Sequence, residues 1–96
     1  AMITNKQKEA IIQFMMPFQP AEIGIFGSFA KGTSTKNSDI DIIVKLRKQI
    51  NLFEFIDLQE GLSKVLKRKV DLITDGALNK HIRSLIASEI ISIYND

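Results

Sequence analysis

A small mixed β-sheet with helices packed on one side, an α/β (α+β) fold, is what this sequence predicts. Three short runs rich in isoleucine and valine alternate with segments whose apolar residues recur at helical spacing. Cap signals open two of those helical segments. Ninety-six residues suit one domain, spanning 1–96, with a modest core and no room for a second lobe.

Thr4-x-x-Gln7 reads as a capping box, followed by Ala10, Ile11, Phe14, Met15 and Phe18 on one helical face; Pro17 and Pro20 end that helix. Residues 21–27 form a short apolar strand running into Gly27, residues 29–32 allow one helical turn, and 33–38 are a polar loop. Residues 39–46 make the strongest strand, with Ile40, Ile42 and Val44 on one face and Asp39, Asp41 and Ile43 on the other. Asn51-x-x-Glu54 caps a second helix carrying Phe55, Leu58, Leu62, Val65 and Leu66. Lys67, Arg68 and Lys69 crowd its end, where the helix dipole favours cations. Residues 69–74 form a third strand, with Asp71 opposite Val70 and Leu72. A last helical region starts at Asp75 or Gly76 and carries Leu78, Ile82, Leu85 and Ile86; residues 90–94 fit either its continuation or a closing strand.

Composition excludes several classes. There is no cysteine, hence no disulfide, thiolate chemistry or cysteine-held metal. A net charge of +2 does not call for nucleic acid as a direct ligand and suits an anionic small molecule equally well. No run approaches a membrane span and no signal segment is evident, so no membrane and a cytoplasmic location are expected. Ala1 before Met2 reads as an expression scar. His81, the single histidine, reads as a surface residue, and Glu54, Asp57, Glu60, Asp75 and Glu89 as solvated helix or cap residues.

The chemistry concentrates in GIFGSFAKGTSTKNSDIDIIV. A strand that stops at Gly27 and turns into a short helix exposes backbone N–H groups, and Ser28 adds a hydroxyl without bulk: a phosphate cradle. Lys31 and Lys36 are placed to neutralise triphosphate charge. Asp39 and Asp41, two apart on a strand, share a face at roughly 6.5–7 Å between Cα atoms. Carboxylates so placed can hold a pair of magnesium ions, as phosphoryl-type transfer requires. Asp71, on a strand expected to pair nearby, supplies a third ligand.

With those residues in view, GSFAKG, SDIDIIV and VDLIT resemble the minimal nucleotidyltransferases, the smallest members of the DNA polymerase beta-like nucleotidyltransferase superfamily. The family pattern is Gly-Ser, ten residues, Asp-x-Asp, then a later Asp, matched here at Gly27, Ser28, Asp39, Asp41 and Asp71. Lys31 stands where many relatives carry arginine, and Ser38 matches the serine before the first acid. The resemblance implies a nucleotidyltransferase fold and an adenylyltransferase using ATP, with two Mg2+ ions on the three aspartates. It also implies a partner: minimal members are typically antitoxins of helical HEPN-domain ribonucleases, some of them adenylylating a tyrosine on that toxin. Two alternatives stand beside this reading. One is an idle antitoxin that masks its toxin stoichiometrically; the other is the catalytic subunit of a two-chain small-molecule nucleotidyltransferase.

Overall fold

The structure, a computed structural model, describes residues 2–74, 84 and 87–96. Within them run α1 (Asn5–Met15), a 3₁₀ turn (Met16–Phe18), β1 (Pro20–Phe26), α2 (Ser28–Lys31), β2 (Ile40–Leu46), α3 (Leu52–Leu66), β3 (Val70–Thr74) and β4 (Ile91–Asn95). The strands form one sheet of order β3-β2-β1-β4. β1 is antiparallel to β2 and β4, whereas β2 and β3 are parallel, so the sheet is mixed as expected. A parallel pair needs a long crossover, and α3 supplies it.

Both capping boxes form. Thr4 Oγ1 accepts the Gln7 N–H (3.1 Å) and Gln7 Oε1 accepts the Thr4 N–H (2.9 Å). Asn51 Oδ1 accepts the Glu54 N–H (2.8 Å), and Glu54 Oε1 accepts the Asn51 N–H (3.1 Å). Pro17 sits in the 3₁₀ turn, and Gln19, at φ 58°, swings the chain into β1. Lys67 closes α3 in the left-handed region at φ 53°, and the Arg68 N–H reaches back to the Ser63 carbonyl (3.1 Å).

The core lies between one sheet face and the two long helices. Ile23 and Ile25 of β1, Ile40, Ile42 and Val44 of β2, and Val70 and Leu72 of β3 meet Ile11 and Met15 of α1 and Leu58 and Leu62 of α3, all buried. The core-facing stripe of α3 runs Phe55, Leu58, Leu62, Leu66, with Leu58 and Leu62 fully buried and the outer two partly so. Val65, expected on that face, is 45% exposed, because Leu66 occupies the position facing the core one turn after Leu62. Ile43, on the face opposite the core, is nevertheless buried; it packs beside Gly24, where a Cβ would run into Ile90 and crowd Ile43. Two polar side chains of α3 also serve β3, Ser63 Oγ accepting the Val70 N–H (3.2 Å) and Gln59 Oε1 the Leu72 N–H (3.0 Å).

Residues 91–95 form β4, antiparallel to β1, which decides the open choice at the end of the chain in favour of a strand. The expected helical region from Asp75 or Gly76 through Leu78, Ile82, Leu85 and Ile86, with His81, lies outside the described residues.

Gly61 lets α3 approach α1, since a Cβ there would overlap the tip of the Phe14 ring. Overpacking costs about 1–3 kcal/mol, against a helix-propensity gain of roughly 1 kcal/mol for alanine. Gly61→Ala is therefore expected to lower the urea midpoint, and Phe14→Leu in the same chain to raise it again. An unchanged midpoint in the single variant would show that the ring can move aside freely.

Candidate active site

The register of three strands builds the acidic centre. Phe26 of β1 stands opposite Asp41 of β2, and Asp41 stands beside Asp71 of β3. Alternation then decides the direction of the side chains: with Ile40, Ile42, Val70 and Leu72 in the core, Asp41 and Asp71 face the other way. Asp71 is exposed and Asp41 half-buried, and the two are in hydrogen-bonding contact. The Asp41 carboxyl is pushed above the usual carboxylate range, first by burial, then by the charges of Asp71 and Asp39, then by the hydrogen bond to Asp71.

Asp39 lies one residue ahead of β2 rather than inside it. The Ile40 N–H donates to the Lys69 carbonyl (3.0 Å), which brings residues 39 and 69 side by side. Lys69 Nζ is 3.8 Å from Asp39 Oδ2, so Asp39 leans toward an ammonium. The three aspartates thus gather at one end of the sheet, but among the described residues no three carboxylate or imidazole side chains form a finished metal cage. Their chemistry still suits a divalent cation. They offer hard oxygen donors, and the Asp41 anion is disfavoured by like charges that a cation would offset.

Gly27 keeps space open beside them. At φ 74° and ψ −149° it adopts a backbone conformation open to glycine, and a Cβ there would overlap Asp41 Oδ2 and lie 3.2 Å from Cγ. Its carbonyl accepts the Ala30 and Lys31 N–H groups (3.1 Å each), starting α2 at Ser28. Buried Phe29 and Ala30 anchor that turn. Gly27 and Asp41 are therefore close neighbours across the β1–β2 pair.

Other candidates sit differently. Lys31 Nζ is 3.0 Å from Glu89 Oε1, so Glu89 is an ion-pair partner rather than a merely solvated acid. Ser38 Oγ accepts the Thr35 N–H (2.8 Å) and the Ser38 N–H donates to the Thr35 carbonyl (3.1 Å), so Ser38 shapes its own loop. Lys36 is exposed in the same turn. The basic trio is not just a helix-end feature: Arg68 Nη1 donates to the carbonyls of Thr35, Lys36 and Ser38, and Lys69 reaches Asp39. The available signal was position, since both residues immediately precede the strand that carries Asp71. A larger cleft of about 630 Å³ opens at the far end of β2, lined by residues 44–52, Phe55 and Thr74. Among the described residues its lining carries no acid.

A glycine-ended strand beside juxtaposed carboxylates on neighbouring strands is an arrangement suited to nucleotidyl transfer. Residues 9–96 match the family described as Polymerase beta, Nucleotidyltransferase, and the chain belongs to it. It is 32% identical over 98 residues to Protein adenylyltransferase MntA of Thermococcus cleftensis, covering 97% of this chain and 99% of that protein. A chain of a toxin–antitoxin crystal structure with AMP-PNP superposes at TM-score 0.84 and 23% identity, over 93% of this chain and 73% of that one. A chain from the tri-AMPylated Shewanella oneidensis HEPN toxin in complex with MNT antitoxin gives TM-score 0.79 at 18% identity, over 98% and 74%. At those identities the two structures speak for the fold, which is the nucleotidyltransferase fold expected. The protein is a nucleotidyltransferase. No helix among the described residues is long and apolar enough to cross a membrane.

Two expectations follow. If the turn holds ATP, Gly27→Ala should weaken calorimetrically measured ATP affinity at least tenfold, because the new methyl displaces the Asp41 carboxylate; wild-type affinity would show that the close approach is dispensable. The second concerns pH. A carboxyl whose folded pKa lies above its unfolded value contributes most stability below the unfolded pKa and loses that contribution as pH rises through the folded value. Asp41→Asn, without added metal, should therefore raise Tm by a few degrees near neutrality, and the gain should vanish below about pH 4. A gain equally large in acid would exclude Asp41 ionisation as its source.

Proposed function

We propose that this nucleotidyltransferase is magnesium-dependent, moves AMP from ATP to a hydroxyl of a partner protein, and acts as the antitoxin of a HEPN-type ribonuclease. The observation that carries the reading is the side-by-side placement of Asp41 and Asp71 next to the Gly27–Ser28 turn. Support for the nucleotide and the partner comes from the adenylyltransferase relative and from the toxin–antitoxin complexes that share the fold.

In this reading Gly27 admits the triphosphate close to backbone, and Ser28 donates its hydroxyl to a phosphate oxygen. Lys31 and Lys36 lie at the edge of the cradle to offset triphosphate charge, Lys31 after exchanging its Glu89 partner. Ser38 contributes through the loop it shapes. Asp39, Asp41 and Asp71 would hold two Mg2+ ions, which when bound polarise the α-phosphate and steady the departing pyrophosphate. The acceptor oxygen forms a bond to the α-phosphorus while the bond to the β-phosphate bridging oxygen breaks. Asp71, the most exposed of the acids, is placed to receive the hydroxyl proton.

With ATP labelled at the α-phosphate and the cognate HEPN-type toxin as acceptor, label should enter the toxin and pyrophosphate should be released. Label entering only from the γ-phosphate would mean a kinase. Asp71→Asn should reduce turnover at least tenfold more than it reduces ATP affinity. The double change Asp39→Asn, Asp41→Asn should abolish both labelling and protection from the toxin. Full protection by that variant would leave stoichiometric masking as the function.

A further inference from the structure

The guanidinium of Arg68 has a role that the three-aspartate pattern does not contain. Nη1 donates to three carbonyls of a single loop, Thr35 (3.1 Å), Lys36 (3.0 Å) and Ser38 (2.8 Å). Its carbon lies 5.1 Å from the centroid of the Phe29 ring, a cation–π contact with a buried residue of α2. The left-handed turn at Lys67 is what takes the chain out of α3 at this point.

The bond to Ser38 matters most. That carbonyl belongs to the peptide group leading into Asp39, and a peptide group is a rigid plane. On the other side of Asp39, the Ile40 N–H is bonded to the Lys69 carbonyl (3.0 Å). Asp39 is thus bracketed by hydrogen bonds from two consecutive residues of the 68–69 segment. Through Phe29, the residue after Ser28, the same guanidinium also touches the turn proposed to hold phosphate.

We propose that Arg68 is a positioning residue: it fixes the 35–38 turn so that the carboxylate of Asp39 is presented beside Asp41. The proposal rests on the nucleotidyltransferase site described above. Lysine should replace it poorly, because an ammonium lacks the planar guanidinium face that stacks on Phe29.

The test uses the full chain, wild type and Arg68→Ala, each with Asp39 intact and with Asp39→Asn. Affinity for AMP-PNP is measured with saturating magnesium, and amide hydrogen exchange is followed by NMR. Arg68→Ala should speed exchange at Thr35 and Ser38 while Ile25 and Ile42 stay protected, and should weaken AMP-PNP binding about tenfold. In the Asp39→Asn background it should weaken binding little further. Millimolar guanidinium ion should restore part of the lost affinity to Arg68→Ala, and Arg68→Lys should fall between alanine and wild type. Equal losses in both backgrounds, unchanged affinity, or faster exchange throughout the sheet would each overturn the proposal. Should the wild type itself fail to bind AMP-PNP, the proposed function falls, and exchange at Thr35 and Ser38 decides alone whether Arg68 holds the turn.

Discussion

The parallel pairing of β2 with β3 is the constraint on which the rest depends. Ile40 beside Val70 and Ile42 beside Leu72 are buried pairs, and their burial fixes the register. A slip of one residue would drive a carboxylate into the core and turn an isoleucine to solvent, so register is strongly specified here. The meeting of Asp41 with Asp71 is a by-product of that apolar arrangement. The core positions the acids, and α3 makes the parallel pairing possible by spanning the crossover.

Electrostatically, the site is an assembly of opposed groups held in place by the scaffold. Asp41 meets two like charges and is partly desolvated, which works against its anion. Cations are distributed around this centre with separate tasks: Lys69 beside Asp39, Lys31 on Glu89, and Arg68 on loop carbonyls. Exposed ion pairs such as Lys31 with Glu89 contribute little to stability and can exchange partners readily. The guanidinium on three carbonyls is a different kind of contact, since it ties a loop that otherwise bonds largely to itself to the end of α3.

Much of this was legible in the sequence, for identifiable reasons. Period-two alternation located Asp41 and Asp71 on the face away from the core, and the glycine at position 27 was read as room for a phosphate, whereas in the structure that space lies against the Asp41 carboxylate. Capping boxes at Thr4 and Asn51 placed both long helices within a residue of their starts. What escaped depends on contacts between distant residues. Arg68 acts on a loop some thirty residues earlier in the chain, and its position just ahead of the strand that carries Asp71 hints at the site without disclosing that loop. Ile43 shares a face with Asp39 and Asp41, and its burial beside Gly24 arises only through tertiary packing. Asp39 falls just outside its strand since pairing with β3 begins at Ile40.

β4 gives the sheet a temporal dimension. It pairs with the edge of β1 that β2 does not use, Glu22 with Asn95 and Ile25 with Ile91, joining segments near opposite ends of the sequence. Such closure is a non-local contact, whose chain-entropy cost is met before the pairing rewards it, and non-local pairings fold more slowly than local helices. Until it happens, β1 presents one open edge with Ile23 and Ile25 in it, the kind of surface that pairs with other chains. During synthesis, that edge must wait for nearly the whole domain to emerge, which makes the interval before β4 docks the period of greatest exposure to misassembly.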